Sequence, residues 1–242
     1  MRRQGFRVRR KTLVNAEHLA ALQDAAKARR PVAFATRLPD GAAYILPDPA
    51  APAALAAEAA SMLAEDRTGT VQIGGETWFI ESRNPAPRAI IVGAVHIAQS
   101  LVPLAASMGF AVTVVDPRRA FVSADRFPGV ATCIDWPDKA LDALTPDART
   151  AIITLTHDPK LDDPALIRAV ASDAFYIGAL GSRKTHAKRL DRLREAGLDE
   201  AALARIRAPV GLDIGAVTAP EIALSIIAQV VATRRGKLGS VG

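Results

Sequence analysis

Residues 89–98 read Ala-Ile-Ile-Val-Gly-Ala-Val-His-Ile-Ala, an aliphatic run that passes through a glycine into a helical pattern. This is the strand, turn and helix order of a dinucleotide-binding unit, with glycine at the first fingerprint position and alanine at the last. Val95 replaces the middle glycine, which normally lets the backbone approach a pyrophosphate. The stretch therefore predicts a Rossmann-like unit and leaves open whether its loop binds a nucleotide.

Aliphatic runs alternate with helical patterns along the rest of the chain. The further predicted strands are 111–115, 130–134, 151–155 and 175–177. The predicted helices are 96–108, 137–144, 163–172, 183–196 and 219–235. Such alternation is typical of a parallel sheet with crossover helices on both faces. We predict an α/β fold, a Rossmann-like doubly wound parallel sheet, over residues 85–242.

The first third of the chain has a different pattern. Two prolines within residues 82–88 mark the predicted boundary, which makes 1–84 a separate small N-terminal α+β domain. Its predicted elements are an Ala-rich helix at 53–65 and strands at 32–36, 43–46, 70–73 and 77–81. We identify no binding or catalytic motif in this domain.

Composition and charge limit the class of protein. The 242 residues are 50% hydrophobic and 23% charged, which excludes disorder over most of the length. The net charge is +6, but residues 1–30 hold nine Lys or Arg against two acidic residues, so the remainder is nearly neutral. We therefore expect no nucleic-acid binding by the folded body, and we interpret the basic residues at 2–11 as a solvated terminus.

Location follows from the apolar runs and the cysteine count. No apolar run approaches the ~20 residues that cross a bilayer, and the start lacks the apolar region of a signal peptide. The single cysteine, Cys133, permits no internal disulfide and is expected in a buried strand. We expect a cytoplasmic protein that does not associate with a membrane.

Polar residues follow several strand ends, where doubly wound sheets bind ligands. Asp116 closes the second strand of the sheet, where a carboxylate would accept from a ribose hydroxyl, and Arg118 follows it as a candidate phosphate ligand. His96 begins the first helix of the domain, and His157 follows the fourth strand. For all four residues a purely structural role is the alternative, and no metal site is predicted.

The fifth strand leads into the strongest candidate anion site. Gly178 and Gly181 precede Ser182, and Arg183 and Lys184 fall in the first turn of the next helix. Free backbone N–H groups, the positive end of the helix dipole and two cations converge there, as a phosphate requires. Cations are unfavourable in a first helical turn, which favours an anionic ligand that compensates them.

Three further polar residues lie near predicted helix starts. Thr218 and Glu221 have the spacing of a capping box, so we interpret Glu221 as structural. Asp163 directly precedes a proline and is interpreted as a helix N-cap. Asp213 lies on an apolar loop near two glycines and is a candidate crevice residue, with a local structural role as the alternative.

Several segments together resemble the XdhC/CoxI family, the xanthine dehydrogenase accessory factors. The segments are 93–98, 116–118, 126–128, 156–159, 176–183 and 209–216. The resemblance covers residues 85–236 and implies a Rossmann-like domain in a maturation factor that handles molybdenum cofactor (molybdopterin) rather than catalysing turnover. It implies a molybdenum hydroxylase apo-enzyme as partner, of the xanthine or carbon monoxide dehydrogenase type. A cofactor sulfurase and a second copy of the chain, in a homodimer, are further candidate partners.

The chain departs from the family pattern at two places. Family members commonly carry Gly-x-Gly-His where this chain has Gly-Ala-Val-His at 93–96, which argues against nucleotide binding by that loop. Full-length members also carry a glycine-rich N-terminal motif with a cysteine, whereas residues 1–84 contain no cysteine. A thiolate ligand to molybdenum from that domain is therefore not expected.

Three functions remain open from the sequence. In the first, residues 182–184 hold the phosphate of molybdopterin or its dinucleotide form, and Asp116 and Arg118 hold a ribose or second phosphate. His96 and His157 would line the opening of the crevice together with Asp213. In the second, an NAD(P)-dependent oxidoreductase uses the same crevice, with one of the two histidines transferring a proton. In the third, the protein docks its target enzyme without binding a small molecule.

Overall fold

The computed structural model describes residues 15–237. The chain divides into two compact units, between Pro85 and Ala86. No helix within residues 15–237 is long and apolar enough to cross a lipid bilayer. The basic residues at 2–11 lie outside the described range.

The first unit is an antiparallel sheet with two helices, in agreement with the predicted α+β class. Its elements are α1 (Ala16–Lys27), β1 (Val32–Arg37), β2 (Ala43–Leu46), α2 (Ala53–Ala64), β3 (Gly69–Ile73) and β4 (Glu76–Arg83). The strand order is β2-β1-β4-β3, and every pairing is antiparallel. Leu55, Met62, Trp78 and Ile80 form the buried core of this unit. Helix α1 was not predicted from the sequence.

The second unit is a six-stranded parallel sheet flanked by helices. Its strands are β5 (Arg88–Val92), β6 (Ala111–Val115), β7 (Ala131–Cys133), β8 (Thr150–Thr154), β9 (Tyr176–Ala179) and β10 (Ile206–Arg207). Its helices are α3 (His96–Ser107), α4 (Pro137–Leu144), α5 (Pro159–Val170), α6 (Arg183–Glu195), α7 (Glu200–Leu203) and α8 (Ala219–Arg234). The predicted Rossmann-like doubly wound fold is confirmed.

Both faces of this sheet are buried, which explains the continuous aliphatic runs in the sequence. Successive side chains of a strand point to opposite faces. Ile91 belongs to a cluster that includes Leu101 of α3 and Ile226 of α8. Its neighbour Ile90 belongs to a second cluster, with Leu166 of α5.

The strand order creates a switch point beside β5. The order is β10-β9-β8-β5-β6-β7, so the chain runs from β5 outward to β7 and then returns to β8 on the other side of β5. In sheets of this topology the loops after the two central strands diverge and leave a crevice at the carboxyl ends. The expected ligand crevice therefore lies beyond the ends of β5 and β8.

Two local predictions are wrong. Helix α5 begins at Pro159, and Asp158 is its N-cap because its side chain accepts from the Lys160 N–H at 2.9 Å. Asp163 lies inside the helix and pairs with Arg192 instead. The predicted buried strand at 130–134 is the short edge strand β7, where Cys133 is only partly buried.

Candidate functional site

A cleft of about 600 Å³ opens at the switch point, and we call it the switch-point cleft. Three residues singled out from the sequence line it, namely His96, Arg118 and His157. The other lining residues are Val95, Ile97, Leu155, Thr156, Asp158, Pro159 and Leu180. The cleft thus has mainly apolar walls with a few polar groups, as small-molecule sites commonly do.

The loop after β5 is fixed by close packing. Gly93 has a φ of +106°, and a Cβ at this position would lie 2.6 Å from Thr156 Cγ2. Only glycine accommodates both the conformation and the contact. Val95 lines the cleft, where a dinucleotide fingerprint would have its middle glycine. Gly93 therefore holds the loops after β5 and β8 together, and Val95 gives the loop an apolar surface.

Asp116 is fully buried and its two carboxylate oxygens are occupied. Oδ2 accepts from the Ala94 N–H at 2.9 Å and from Arg118 Nη2 at 2.7 Å. Oδ1 accepts from the Arg118 N–H and from Arg118 Nε at 2.8 Å. Burial opposes ionisation, but these hydrogen bonds outweigh it and hold the pKa of Asp116 below its ordinary value. Asp116 thus orients the loop after β5 and the side chain of Arg118.

Arg118 is the member of this pair that faces the cleft. Its guanidinium lies 4.1 Å from the ring centroid of Phe121, and its side chain remains 42% exposed. A guanidinium held on one side by a carboxylate and stacked on a ring is preorganised for an anionic or flat ligand group. His96 and His157 are exposed at the same cleft.

The segment after β9 contributes to two different clefts. Gly178 is packed tightly, since a Cβ there would lie 2.5 Å from Val210 Cγ2, and Gly181 has a φ of +139°. Ser182 caps α6 by accepting from the Thr185 N–H at 3.2 Å. Arg183 and Lys184 are exposed, and neither forms an ion pair within residues 15–237. The structure does not bring these two cations to the same cleft.

Lys184 lines a cleft of about 290 Å³ between α5 and α6, which we call the α5–α6 cleft. The remaining lining residues are His157, Pro159, Asp162, Thr185, Lys188, Arg189 and Arg192. It shares His157 and Pro159 with the switch-point cleft, so the two adjoin. Sequence reasoning did not single out Lys188, Arg189 or Arg192, although their spacing from Lys184 on one helix was visible.

Arg183 and Asp213 line a third cleft, of about 860 Å³, between the end of β9 and α8. Asp213 is exposed there and is not among the residues that line the switch-point cleft with His96 and His157. Glu221 accepts from the N–H groups of Val217 and Thr218, which lowers its pKa. The predicted capping box is therefore confirmed.

The described residues offer no ready-made metal site. Within residues 15–237 no group of three or more His, Cys, Asp or Glu side chains is arranged to hold a metal ion. Cys133 lies on β7 and lines none of the three clefts described above. Binding at these clefts therefore depends on cations, histidines, apolar walls and backbone groups.

Comparisons with known proteins identify the family. The family model for the XdhC Rossmann domain matches residues 89–230. The chain is 31% identical over 178 residues to Uncharacterized protein YqeB of Escherichia coli, covering 73% of this chain and 32% of YqeB. It is 34% identical over 170 residues to the molybdenum cofactor insertion chaperone PaoD of Escherichia coli, covering 70% of this chain and 46% of PaoD.

Two further matches agree with this assignment. The chain is 33% identical over 158 residues to a probable xanthine dehydrogenase subunit of Bacillus subtilis, covering 65% of this chain and 46% of that protein. The chain thus spans less than half the length of these three relatives. A crystal structure of a xanthine dehydrogenase from Bacillus halodurans has a similar fold, with a TM-score of 0.66 and 23% identity, covering 93% of this chain and 66% of that one. Because the family model matches more than half of its residues, this chain belongs to the XdhC family, whose Rossmann domain it carries at residues 89–230.

Proposed function

We propose that this protein binds molybdenum cofactor as cargo and delivers it to the apo-form of a molybdenum hydroxylase of the xanthine or carbon monoxide dehydrogenase type. The similarity to an insertion chaperone and to proteins named xanthine dehydrogenase supports this proposal. Delivery takes place in the cytoplasm in this proposal, with a cofactor sulfurase and a second copy of the chain as further partners.

One observation carries the proposal, namely that a mainly apolar cleft adjoins a cationic one at the switch point of the sheet. Molybdenum cofactor joins a flat pterin to a phosphate ester, so it needs both kinds of surface. The switch-point cleft, at about 600 Å³, falls in the usual range for small-molecule sites. The cations beside it supply the charge that a phosphate requires.

The residues take separate parts in this binding. Arg118 contacts a phosphate or the pterin edge, with His96 and His157 at the opening. Lys184 contacts a phosphate together with the free N–H groups at the start of α6, which Ser182 positions as N-cap. The metal arrives with the sulfur ligands of the cofactor itself, so the chain need not supply a thiolate.

Arg183 and Asp213 have a different part in the proposal, because they line the third cleft. Leu180 lines both the third cleft and the switch-point cleft. A group on the target enzyme, or an extended end of the cofactor, would contact Arg183 and Asp213 there. Arg183 therefore contributes to retention less directly than Lys184.

NAD(P) turnover is not part of the proposal. The oxygens of Asp116 that would hold a ribose accept from Ala94 and Arg118. Val95 occupies the position at which a glycine would let a pyrophosphate approach. Within residues 15–237 we find no contact that favours a nicotinamide cofactor over the proposed cargo.

The double change Arg183→Ala and Lys184→Ala tests the proposal. We expect it to weaken cofactor retention by more than ~2 kcal/mol, the scale of lost charged hydrogen bonds. Lys184→Ala alone should account for most of the loss. The measurement is equilibrium dialysis of cofactor from the loaded protein, with Lys139→Ala and Lys237→Ala as a control that removes two exposed cations elsewhere. Unaltered retention in the double variant would contradict the proposal.

A further inference from the structure

Arg189 is a buried cation whose hydrogen bonding the described chain only partly satisfies. Its side chain is 2% exposed, and it forms part of the wall of the α5–α6 cleft. Nη2 donates to the Leu180 carbonyl at 2.8 Å and lies 3.3 Å from Asp162 Oδ2. Nε and Nη1 have no hydrogen-bond partner within residues 15–237. Since buried charged donors are normally paired, these two groups point to an acceptor that the chain does not supply.

The carboxylate beside Arg189 is already engaged. Asp162 Oδ1 accepts from Thr156 Oγ1 at 2.5 Å, while Oδ2 faces Arg189 Nη2. Asp162 is the single carboxylate among the residues that line the cleft. It therefore compensates one edge of the guanidinium and leaves Nε and Nη1 for another group.

The rim of the cleft carries an excess of positive charge. Lys184 and Lys188 are exposed one turn apart on α6, where like charges repel each other. Neither lysine forms an ion pair with any residue between 15 and 237. Arg192 does have a partner, because its Nη2 donates to Asp163 Oδ1 at 2.9 Å. The two lysines and Arg189 thus remain as cations available to one ligand.

We propose that the α5–α6 cleft is a phosphoryl-binding subsite, in which Arg189, Lys184 and Lys188 bind phosphate oxygens. A tetrahedral oxyanion offers several acceptors at once, which matches donors that approach from the floor and the rim of the cleft. This inference rests on the proposed function and deepens it, because the cleft shares His157 and Pro159 with the switch-point cleft. A single ligand with its ring system in one cleft would place its phosphate in the other.

Inorganic pyrophosphate is the probe for this subsite, titrated into the full chain at constant ionic strength while the thermal unfolding midpoint is measured. The test variant is Lys184→Gln with Lys188→Gln, which leaves the buried pair of Arg189 and Asp162 intact. The control is Lys139→Gln with Lys237→Gln, two exposed cations of the same unit outside all three clefts. Removing equal charge in both variants separates a specific site from general attraction.

We expect pyrophosphate to raise the unfolding midpoint of the unchanged protein and of the control in a saturable way. In the test variant the apparent Kd should rise at least ~10-fold, since two charged hydrogen bonds are lost. No shift in the unchanged protein, or the same Kd in both variants, would overturn the subsite.

Arg189 has a direct readout that needs no destabilised variant. Its Nε–H resonance, in a protein labelled with nitrogen-15, should move on addition of pyrophosphate as the group gains an acceptor. Arg189→Lys serves only to assign the signal. An Nε–H resonance that stays in place while pyrophosphate binds would overturn the role of Arg189.

Cofactor content in the same preparations separates this inference from the proposed function. Equal cofactor retention by the unchanged protein and the Lys184, Lys188 variant, with no effect of pyrophosphate, would overturn the subsite and leave the proposed function standing. The predicted pyrophosphate pattern in a protein that retains no cofactor would support the subsite and contradict the proposed cargo.

Discussion

Gly93 shows at the scale of one residue how the crevice is built. Its φ of +106° is unfavourable for any other residue, and its Cα hydrogen takes space that a Cβ would share with Thr156 Cγ2. We expect Gly93→Ala to lower the free energy of unfolding by about 2 kcal/mol or more, through backbone strain and the contact together. Urea denaturation measures this loss.

Gly109 provides the matched control for that prediction. Its φ is +81°, but a Cβ there would meet no atom within 4 Å. Gly109→Ala should therefore show only the backbone contribution, on the order of 1 kcal/mol. Equal losses in the two variants would mean that the contact between the two loops does not constrain the crevice.

Asp162 should make stability depend on pH in an unusual direction. Burial raises its pKa to about 6, against an unfolded value of about 3.9, although Thr156 and Arg189 partly offset the effect. Between these values the folded protein holds a proton that the unfolded chain has lost. The contribution of Asp162 to stability is therefore complete below about pH 4 and is lost as pH rises towards 6, by up to about 3 kcal/mol.

The comparison of wild type with Asp162→Asn isolates this effect from that of other carboxylates. The difference in unfolding free energy, wild type minus variant, should be larger near pH 4 than at pH 7. Urea denaturation at several pH values gives this difference. A difference that grows with pH would show that pairing with Arg189 outweighs the burial of the carboxylate.

Single residues were predicted from the sequence only where their partners are local. The capping box of Thr218 and Glu221 spans three residues and could be predicted from spacing alone. Asp116 was correctly expected at a strand end, but its bond to the Ala94 N–H depends on how β5 and β6 pair. Arg189 was missed because its counterion is 27 residues away in sequence, and a basic helix looks solvated without that contact.

At the scale of elements, the start of α5 tests how a helix boundary is chosen. Asp158→Ala should cost about 1 kcal/mol of unfolding free energy, because it removes the N-cap bond to Lys160 N–H. Asp158→Ser should recover most of that loss, since a serine hydroxyl also caps. Asp163→Ala should cost less than Asp158→Ala, because its ion pair with Arg192 is partly exposed. The reverse order in urea denaturation would contradict this assignment of the cap.

The central elements of the second unit were predictable and the marginal ones were not. Strands β5, β6 and β8 are buried on both faces, so their aliphatic runs identify them. The boundary of α5 was misplaced because Asp158-Pro159 and Asp163-Pro164 carry the same local signal, and only the end of β8 decides between them. Strand β10 has two residues and exists through its pairing with β9, which no periodicity reveals.

For the whole molecule, the two compact units predict independent folding. Each unit has its own buried cluster, and the division falls between Pro85 and Ala86. We expect a fragment of residues 86–242 to unfold cooperatively and to bind pyrophosphate as the full chain does. Circular dichroism with urea, followed by the same titration, measures both properties. A fragment without a cooperative transition would show that the second unit requires the first.

The family fold alone does not establish what the molecule carries, because one fold supports many functions. The proposed function depends instead on adjoining apolar and cationic clefts at the switch point. The cargo is therefore the central claim.

Its most direct test is the molybdenum and pterin content of the full chain purified from cells that make molybdenum cofactor. Mass spectrometry quantifies the metal, and fluorescence quantifies the oxidised pterin. We predict near-stoichiometric amounts of both in the unchanged protein. Absence of both molybdenum and pterin would contradict the account.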